Sequence, residues 1–215
     1  MTLAGKSPLN PDLRLAILLL AAGEGSRLGG FPKALLKKDG RTLLQSFTTC
    51  AQQMAPIEMV IVTGFHAQAI EAEINSIKAG SLPIKVIRNS HPEAGQSSSV
   101  RLGLEALKSN YDVLLVALSD QPHIGAAEIR VLLDEFNRRD VGKEIILPQV
   151  NGQWGNPVLF SRKAVEAILS LKGMVCRPYM DQHPALVRVY ETDNTAFILD
   201  VDTEADIQKL EISRW

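Results

Sequence analysis

Apolar positions follow two alternating patterns along this chain: short unbroken apolar runs, and longer stretches in which they recur every three or four residues. The first run, residues 15–21 (LAILLLA), carries no polar side chain. Such a run predicts a strand buried on both faces. Residues 58–63, 84–88, 111–117, 145–148 and 186–190 read as further strands, and residues 197–199 as a short apolar piece. Between them lie helical periods. Residues 43–54 set Leu44, Phe47 and Ala51 on one face, with Thr42 as cap. Residues 66–77 align Ile70, Ile74 and Ile77. Residues 126–139, 162–171, 175–180 and 204–210 are also helical, the last capped by Thr203. One more helix follows residue 95, with one of Ser97, Ser98 and Ser99 expected at its N-cap. Strands alternating with helices at this spacing make parallel βαβ units. The expected fold is a three-layer α/β/α sandwich on a Rossmann-like, mostly parallel sheet, with smaller strands after residue 145 forming one side of a ligand cleft.

Length and composition narrow this picture. The 215 residues suit a single domain with a full core. We expect residues 1–14 to be a polar lead-in and residues 15–215 to be that domain. With 46% hydrophobic and 22% charged residues, the balance is that of an ordinary folded protein. A net charge of −1 argues against a nucleic-acid surface built on bulk charge. The longest apolar run, residues 15–22, is far below the ~18 needed to span a membrane, and residues 1–13 lack the apolar core of a signal peptide. Cys50 and Cys176 have no metal spacing and read as two buried thiols in a reducing cytoplasm. His66, His91, His123 and His183 show no catalytic spacing, and residues 211–215 carry no readable signal.

The candidate chemistry begins where the first strand ends. Gly23, Gly25, Gly29 and Gly30 follow it, with Ser26 and Arg27 between them and Lys33 just beyond. Glycines let backbone N–H groups approach an anion, and the two cations add fixed positive charge. A phosphate-binding P-loop is excluded, because Gly30 is followed by Phe31 rather than Lys-Ser/Thr. A dinucleotide fingerprint is excluded too, because Leu28 stands where its third glycine is required. Asp120 lies just past the run 111–117, where doubly wound folds place ligands, and can hold a hard cation. Asp200 and Asp202 have the spacing of two residues on one side of a strand, which is unfavourable unless a cation, a cationic side chain or solvent compensates.

Residues 20–33 read L-A-A-G-x-G-S-R-L-G-G-x-P-K. They resemble the signature of the nucleotidyltransferases that make NDP-sugars and related pyrophosphate-linked products. Within these MobA-like NTP transferases, the chain looks most like the molybdenum cofactor cytidylyltransferase branch. The resemblance extends over residues 15–210. It implies a nucleotide-diphospho-sugar transferase fold, and a nucleotide held by Ala21, Ala22, Gly23, Gly25, Ser26, Arg27 and Lys33. It further implies that Gln96, Ser97 and Ser98 meet the base and ribose. Leu118-Ser119-Asp120-Gln121-Pro122 matches a metal-binding L-x-D-Q-P. Asp200-Val201-Asp202-Thr203-Glu204 resembles D-I-D-T-P, with Glu204 in place of the proline. Asp120 and Asp200 would then share Mg²⁺, with Arg27 and Lys33 as the catalytic cations. Gly155, Asn156 and Pro157 correspond to the acceptor-binding segment. The implied reaction joins CMP from CTP to a phosphate-bearing acceptor, molybdopterin, with a recipient molybdoenzyme as partner. A sugar-phosphate acceptor, and a carrier that binds nucleotide without turnover, stay open as alternatives. Ala22, where guanylyltransferases carry glycine, adds a methyl group beside the base and points to CTP over purine nucleotides.

Overall fold

The computed structural model describes residues 13–77, 80 and 82–214. Most of the lead-in expected for residues 1–14 lies outside the described residues. The strands are β1 (Leu15–Ala21), β2 (Lys37–Lys38), β3 (Arg41–Thr42), β4 (Glu58–Thr63), β5 (Ile84–Arg88), β6 (Val113–Leu118), β7 (Ile145–Val150), β8 (Gln153–Trp154), β9 (Val158–Ser161) and β10 (Val187–Glu191). The helices are α1 (Leu43–Gln52), α2 (Ala67–Ser76), α3 (Gln96–Ala106), α4 (Ala126–Asn137), α5 (Arg162–Ser170), α6 (Cys176–Gln182) and α7 (Glu204–Lys209).

One sheet runs in the order β10-β7-β9-β6-β1-β4-β5, with β8 paired to β7 and β2-β3 a separate hairpin. β1 lies between β4 and β6, parallel to both, and β9 is the antiparallel insert between β6 and β7. All seven residues of β1 are buried, which is why its sequence shows no alternation. Alternate residues serve opposite layers. Ile17, Leu19 and Ala21 pack with Phe47, Ile70 and Phe136 on one face. Ala16, Leu18 and Leu20 pack with Leu104, Ile168 and Met180 on the other. The expected three-layer α/β/α sandwich is the observed one. The strands after residue 145 extend the same sheet.

Four local expectations change. The N-cap of α3 is Gly95, not a serine. Its φ of 90° lies in a region L side chains rarely adopt, so the turn takes glycine and the serines fall in the first helical turn. β7 passes through Pro148 to Val150. Pro148 stays in register with Tyr190 of β10, and its carbonyl accepts from the Gly155 N–H at 2.8 Å, so the strand runs on through the proline although the ring removes one donor. Residues 195–198 form a 3₁₀ turn, with no strand over 197–199 or 200–202. The tail is not inert. Ser213 pairs with Lys37, Arg214 donates to the carbonyl of Leu28 at 3.1 Å, and Ile212 buries beside Leu28, Leu36 and Val201. The end of the chain therefore clamps the glycine loop from behind.

Candidate active site

The glycine loop starts where β1 stops. Gly25 has φ 70°, and a Cβ there would sit 2.1 Å from the carbonyl oxygen of Phe31, so no other residue fits. Leu28 and Gly30 both donate to the Gly25 carbonyl, at 2.9 and 3.0 Å, closing the turn. Among the described residues the N–H groups of Gly23, Glu24 and Gly25 have no hydrogen-bond partner. Three consecutive N–H donors are thus left for a ligand at the end of β1, and backbone donors in a glycine-rich loop suit an anion.

Lys33 and the carboxylates meet in front of this loop. Lys33 Nζ donates to Asp120 Oδ2 at 2.9 Å and to Asp202 Oδ1. Arg27 Nη1 donates to Asp202 Oδ2 at 2.9 Å. The Val201 N–H donates to the Asp120 carbonyl at 3.0 Å, which ties the segment after β6 to the segment before α7. Gln121 Nε2 bridges the Phe197 carbonyl and Asp200 Oδ1, at 3.1 and 3.2 Å. Asp200 and Asp202 thus take different partners. Both nonetheless lie in one cluster, as their spacing predicts: the charge of Asp202 acts on the Asp200 carboxyl, and Lys33 is the cation that offsets the two.

Burial alone would lower the Lys33 ammonium; the charges of Asp120 and Asp202 more than reverse this and hold it above its ordinary value. Burial, and then the charges of Asp120 and Asp202, push the Asp200 carboxyl upward against the opposing pull of Gln121 and Lys33. Asp120 Oδ1 is buried with no hydrogen-bond partner. A crowded acidic pair with an orphaned oxygen fits a small hard cation. Among the described residues no group of three His, Cys, Asp or Glu could hold a metal by itself.

The cleft has two compartments that share Leu20, Gln96, Leu118 and Asp200. The first, about 410 Å³, is lined by Ala21, Ala22, Gly23, Lys33 and Asp120, with Phe65 and Pro92 on its outer wall. A Cβ built on Gly64 would lie 2.9 Å from the Ala22 methyl and 2.9 Å from Pro92, so Gly64 is what lets Ala22 sit there. The second, about 500 Å³, lies over β7 and β9 and is closed by Val175, Cys176 and Met180, with Trp154 and Arg177 also in its lining. Burial pushes the Cys176 thiol up to about 12, so it serves as apolar wall and not as a nucleophile. Arg101 on α3 donates to the carbonyls of Ile168, Leu169, Leu171 and Met174, which fixes the end of α5 and the start of this wall.

The sequence-derived candidates divide between these places. Gln96 lines both compartments. Ser97, Gly155 and Asn156 line the second, whereas Gly25, Ser26 and Arg27 form the outer turn of the loop. Ser98 lines neither compartment: it accepts from Asn89 Nδ2 at 2.8 Å and donates to the Gly95 carbonyl at 2.7 Å. Ser99, also bonded to Asn89, lines the first compartment in its stead. Pro157 follows a cis peptide bond and is absent from the lining. Gly155 packs so closely on Phe197 that a Cβ would lie 2.8 Å from its carbonyl oxygen. Sequence reasoning missed Asn89, Phe65, Trp154 and the part played by Asp202. Asp202 alone had a signal, its place two residues beyond Asp200.

Free N–H groups at the end of a buried parallel strand, with a lysine and crowded carboxylates beside them, place the protein in a class of α/β folds with a polar cleft at the strand ends. The chain belongs to the MobA-like NTP transferase domain family, whose sequence pattern matches residues 17–186. It is thus a member of a nucleotidyltransferase family. It is 31% identical over 200 residues to nicotine blue oxidoreductase of Paenarthrobacter nicotinovorans, covering 90% of this chain and 94% of that one. The bifunctional protein GlmU of Polaromonas naphthalenivorans is 32% identical over 122 residues, 55% of this chain. That match spans only 25% of the longer GlmU chain. Among solved structures, Rv0371c of Mycobacterium tuberculosis H37Rv superposes with a TM-score of 0.73 at 25% identity, covering 92% of this chain and 97% of that one. The same protein is also known as a manganese complex, at TM-score 0.67 and 22% identity, covering 92% and 97% of the two chains.

Proposed function

We propose that this chain is a cytoplasmic, Mg²⁺-dependent cytidylyltransferase that transfers CMP from CTP to the phosphate of molybdopterin, releases pyrophosphate, and hands the product to a recipient molybdoenzyme. The observation that carries this reading is the division of the cleft. A compartment faced by Lys33, Asp120 and the glycine loop and one walled by β7, β9 and Val175–Met180 share the Asp200 carboxylate. A donor and an acceptor bound side by side have their reacting groups at that junction.

In this reading the free N–H groups after β1, with Lys33 and Arg27, bind the triphosphate and neutralise the charge that shifts toward pyrophosphate. Asp120 and Asp200 would hold the metal, which when bound supplies Lewis-acid stabilisation of phosphate charge. An oxygen of the acceptor phosphate attacks the α-phosphorus. The bond to the β-phosphate breaks and pyrophosphate leaves, with no covalent enzyme intermediate. Positioning is left to Gln96 at the junction and to Gly155 and Asn156 on the acceptor side. The second compartment offers Trp154 as a flat apolar surface beside the polar groups of Ser97, Asn156 and Arg177, a lining that suits a ring-bearing phosphate. Ala22 narrows the base site against purines. We therefore expect CTP to be preferred, UTP to be the hardest nucleotide to exclude, and Ala22→Gly to relax the preference toward GTP.

The test is pyrophosphate release, with kcat/KM for all four nucleotides and with molybdopterin and sugar phosphates as acceptors. A preference for GTP would defeat the base assignment. The name of the P. nicotinovorans relative supports a second reading, redox turnover of a small molecule. Oxidation–reduction activity that survives Asp120→Ala, without pyrophosphate release, would favour it.

A further inference from the structure

Phe65 is 43% exposed, and it lines the first compartment. It follows β4, the neighbour of the strand that carries the glycine loop. Three ties hold its turn against that loop. A Cβ on Gly64 would lie 2.7 Å from the Ala22 carbonyl oxygen, so the turn is pressed directly onto residue 22. The Phe65 N–H donates to the same carbonyl at 3.5 Å. His66 is the N-cap of α2, but its ring makes no cap bond. Its Nε2 meets the Glu24 carbonyl at 2.7 Å instead. A carbonyl only accepts, so Nε2 carries the proton and donates it. Scattered exposed apolar side chains are ordinary on a protein surface. An aromatic ring in the wall of a cleft, on a backbone tied to the loop beneath it, is a prepared surface.

We propose that Phe65 is the stacking plate for the base of the bound nucleotide, with His66 as the positioning residue that pins it. The inference rests on reading the cleft as a nucleotide site, and it adds the residue that holds the base by its face. Lys33 and the loop N–H groups suit phosphate and give no purchase on a flat ring. The same compartment offers that purchase through Phe65, Ala22 and Pro92, which meet at Gly64. Gln96 and Ser99 supply polar groups for the edge of the base. Ser99 is itself fixed by Asn89 Nδ2, which donates to its hydroxyl at 2.9 Å. Every base has a face that stacks on an aromatic ring. The plate therefore contributes affinity and orientation, while the choice among bases is left to Ala22 and the polar edge.

The experiment is calorimetric affinity of the full chain, with Mg²⁺, for CTP and for inorganic triphosphate. Phe65→Ala should weaken CTP about tenfold, the scale of losing one stacked base, and leave triphosphate unchanged. Phe65→Leu keeps apolar bulk without a ring and should lose nearly as much. Phe65→Trp should keep wild-type affinity. Its added emission, measured against a wild type that holds Trp154 and Trp215, should be quenched by CTP and not by triphosphate. His66→Ala should weaken CTP about threefold, the scale of one hydrogen bond, and add nothing in the Phe65→Ala background. Full CTP affinity in both Phe65→Ala and Phe65→Leu overturns the plate. So does an equal loss of CTP and triphosphate, which would make Phe65 a support of the loop only. In either case a wild type that binds triphosphate leaves the phosphate site standing. A wild type that binds neither probe overturns the plate together with the nucleotide reading.

Discussion

The first compartment of the cleft is held together by charge. Lys33 bridges Asp120 and Asp202, Arg27 closes on Asp202, and Gln121 steadies Asp200. The second compartment is held by shape. β7, β9 and the Val175–Met180 wall supply apolar side chains, and Arg101 fixes that wall from behind through backbone carbonyls. The parallel half of the sheet, β1 with β4 and β6, carries the charged side, while the antiparallel insert β9 opens room for the apolar side. Division of labour follows from this difference. Substitutions in the charged half should change turnover and nucleotide use. Substitutions in the apolar half should change acceptor use alone.

The largest effect is expected at Asp120. Asp120→Ala should lower kcat for pyrophosphate release by at least ~100-fold, since metal charge stabilisation is worth several kcal/mol, with an unchanged circular dichroism spectrum. Near-wild-type turnover would break the comparison at its root. Next come the cations. Lys33→Ala should lower kcat/KM for CTP by roughly 10–100-fold, the scale of losing a charge-assisted contact made in the transition state. Arg27→Ala should lose less, and Arg27→Lys should recover only part of it, because lysine lacks the guanidinium fork. If Arg27→Ala altered thermal stability and not kinetics, the loop would be structural only.

A smaller effect, on the other side, sharpens the contrast. Trp154 is 40% exposed at the second compartment. Trp154→Ala should raise acceptor KM about five- to tenfold, the loss of roughly 1 kcal/mol of aromatic contact, and leave CTP KM alone. Equal shifts in both would mean that the halves are not separate. The smallest effect concerns stability. Burial and the neighbouring carboxylates raise the Asp200 carboxyl above its unfolded value of 3.8. A group raised in this way binds its proton more tightly when folded, so it costs stability as pH rises from 3.8 through its folded value. Chelator-treated Asp200→Asn should therefore melt higher than wild type near neutral pH, and the gain should vanish as pH falls below 3.8. Loss of stability near neutral pH would mean that the carboxylate is paired more strongly than the three-carboxylate cluster allows.

The same difference explains what could be read from the chain. Strands such as 15–21 and 58–63 were legible because both faces are buried and the apolar run is unbroken. The charged half was legible because its parts sit in short contiguous motifs, residues 20–33 and 118–122. Asp202 was visible as a residue but not as a partner: its link to Lys33 joins positions 169 apart in sequence. In the second compartment Gln96, Ser97, Gly155 and Asn156 were legible through motifs, but its apolar walls were not. Val116, Leu147, Phe160 and Met180 look like any core residues until the fold turns them toward one space. The serines were misread because their own pattern suits an N-cap. Gly95 won that position through its backbone angle, and Asn89 engaged Ser98 and Ser99 from across a turn.

The central claim, that the charged half takes the nucleotide and the apolar half the acceptor with Asp200 between them, is tested most directly by a crystal structure with Mg²⁺ and a non-hydrolysable CTP analogue. The account predicts one metal bound by Asp120 and Asp200, the triphosphate against Lys33 and the N–H groups of residues 23–25, and the second compartment left free for the acceptor. A nucleotide lying in the second compartment against Trp154, or a metal bound away from Asp120 and Asp200, would contradict it.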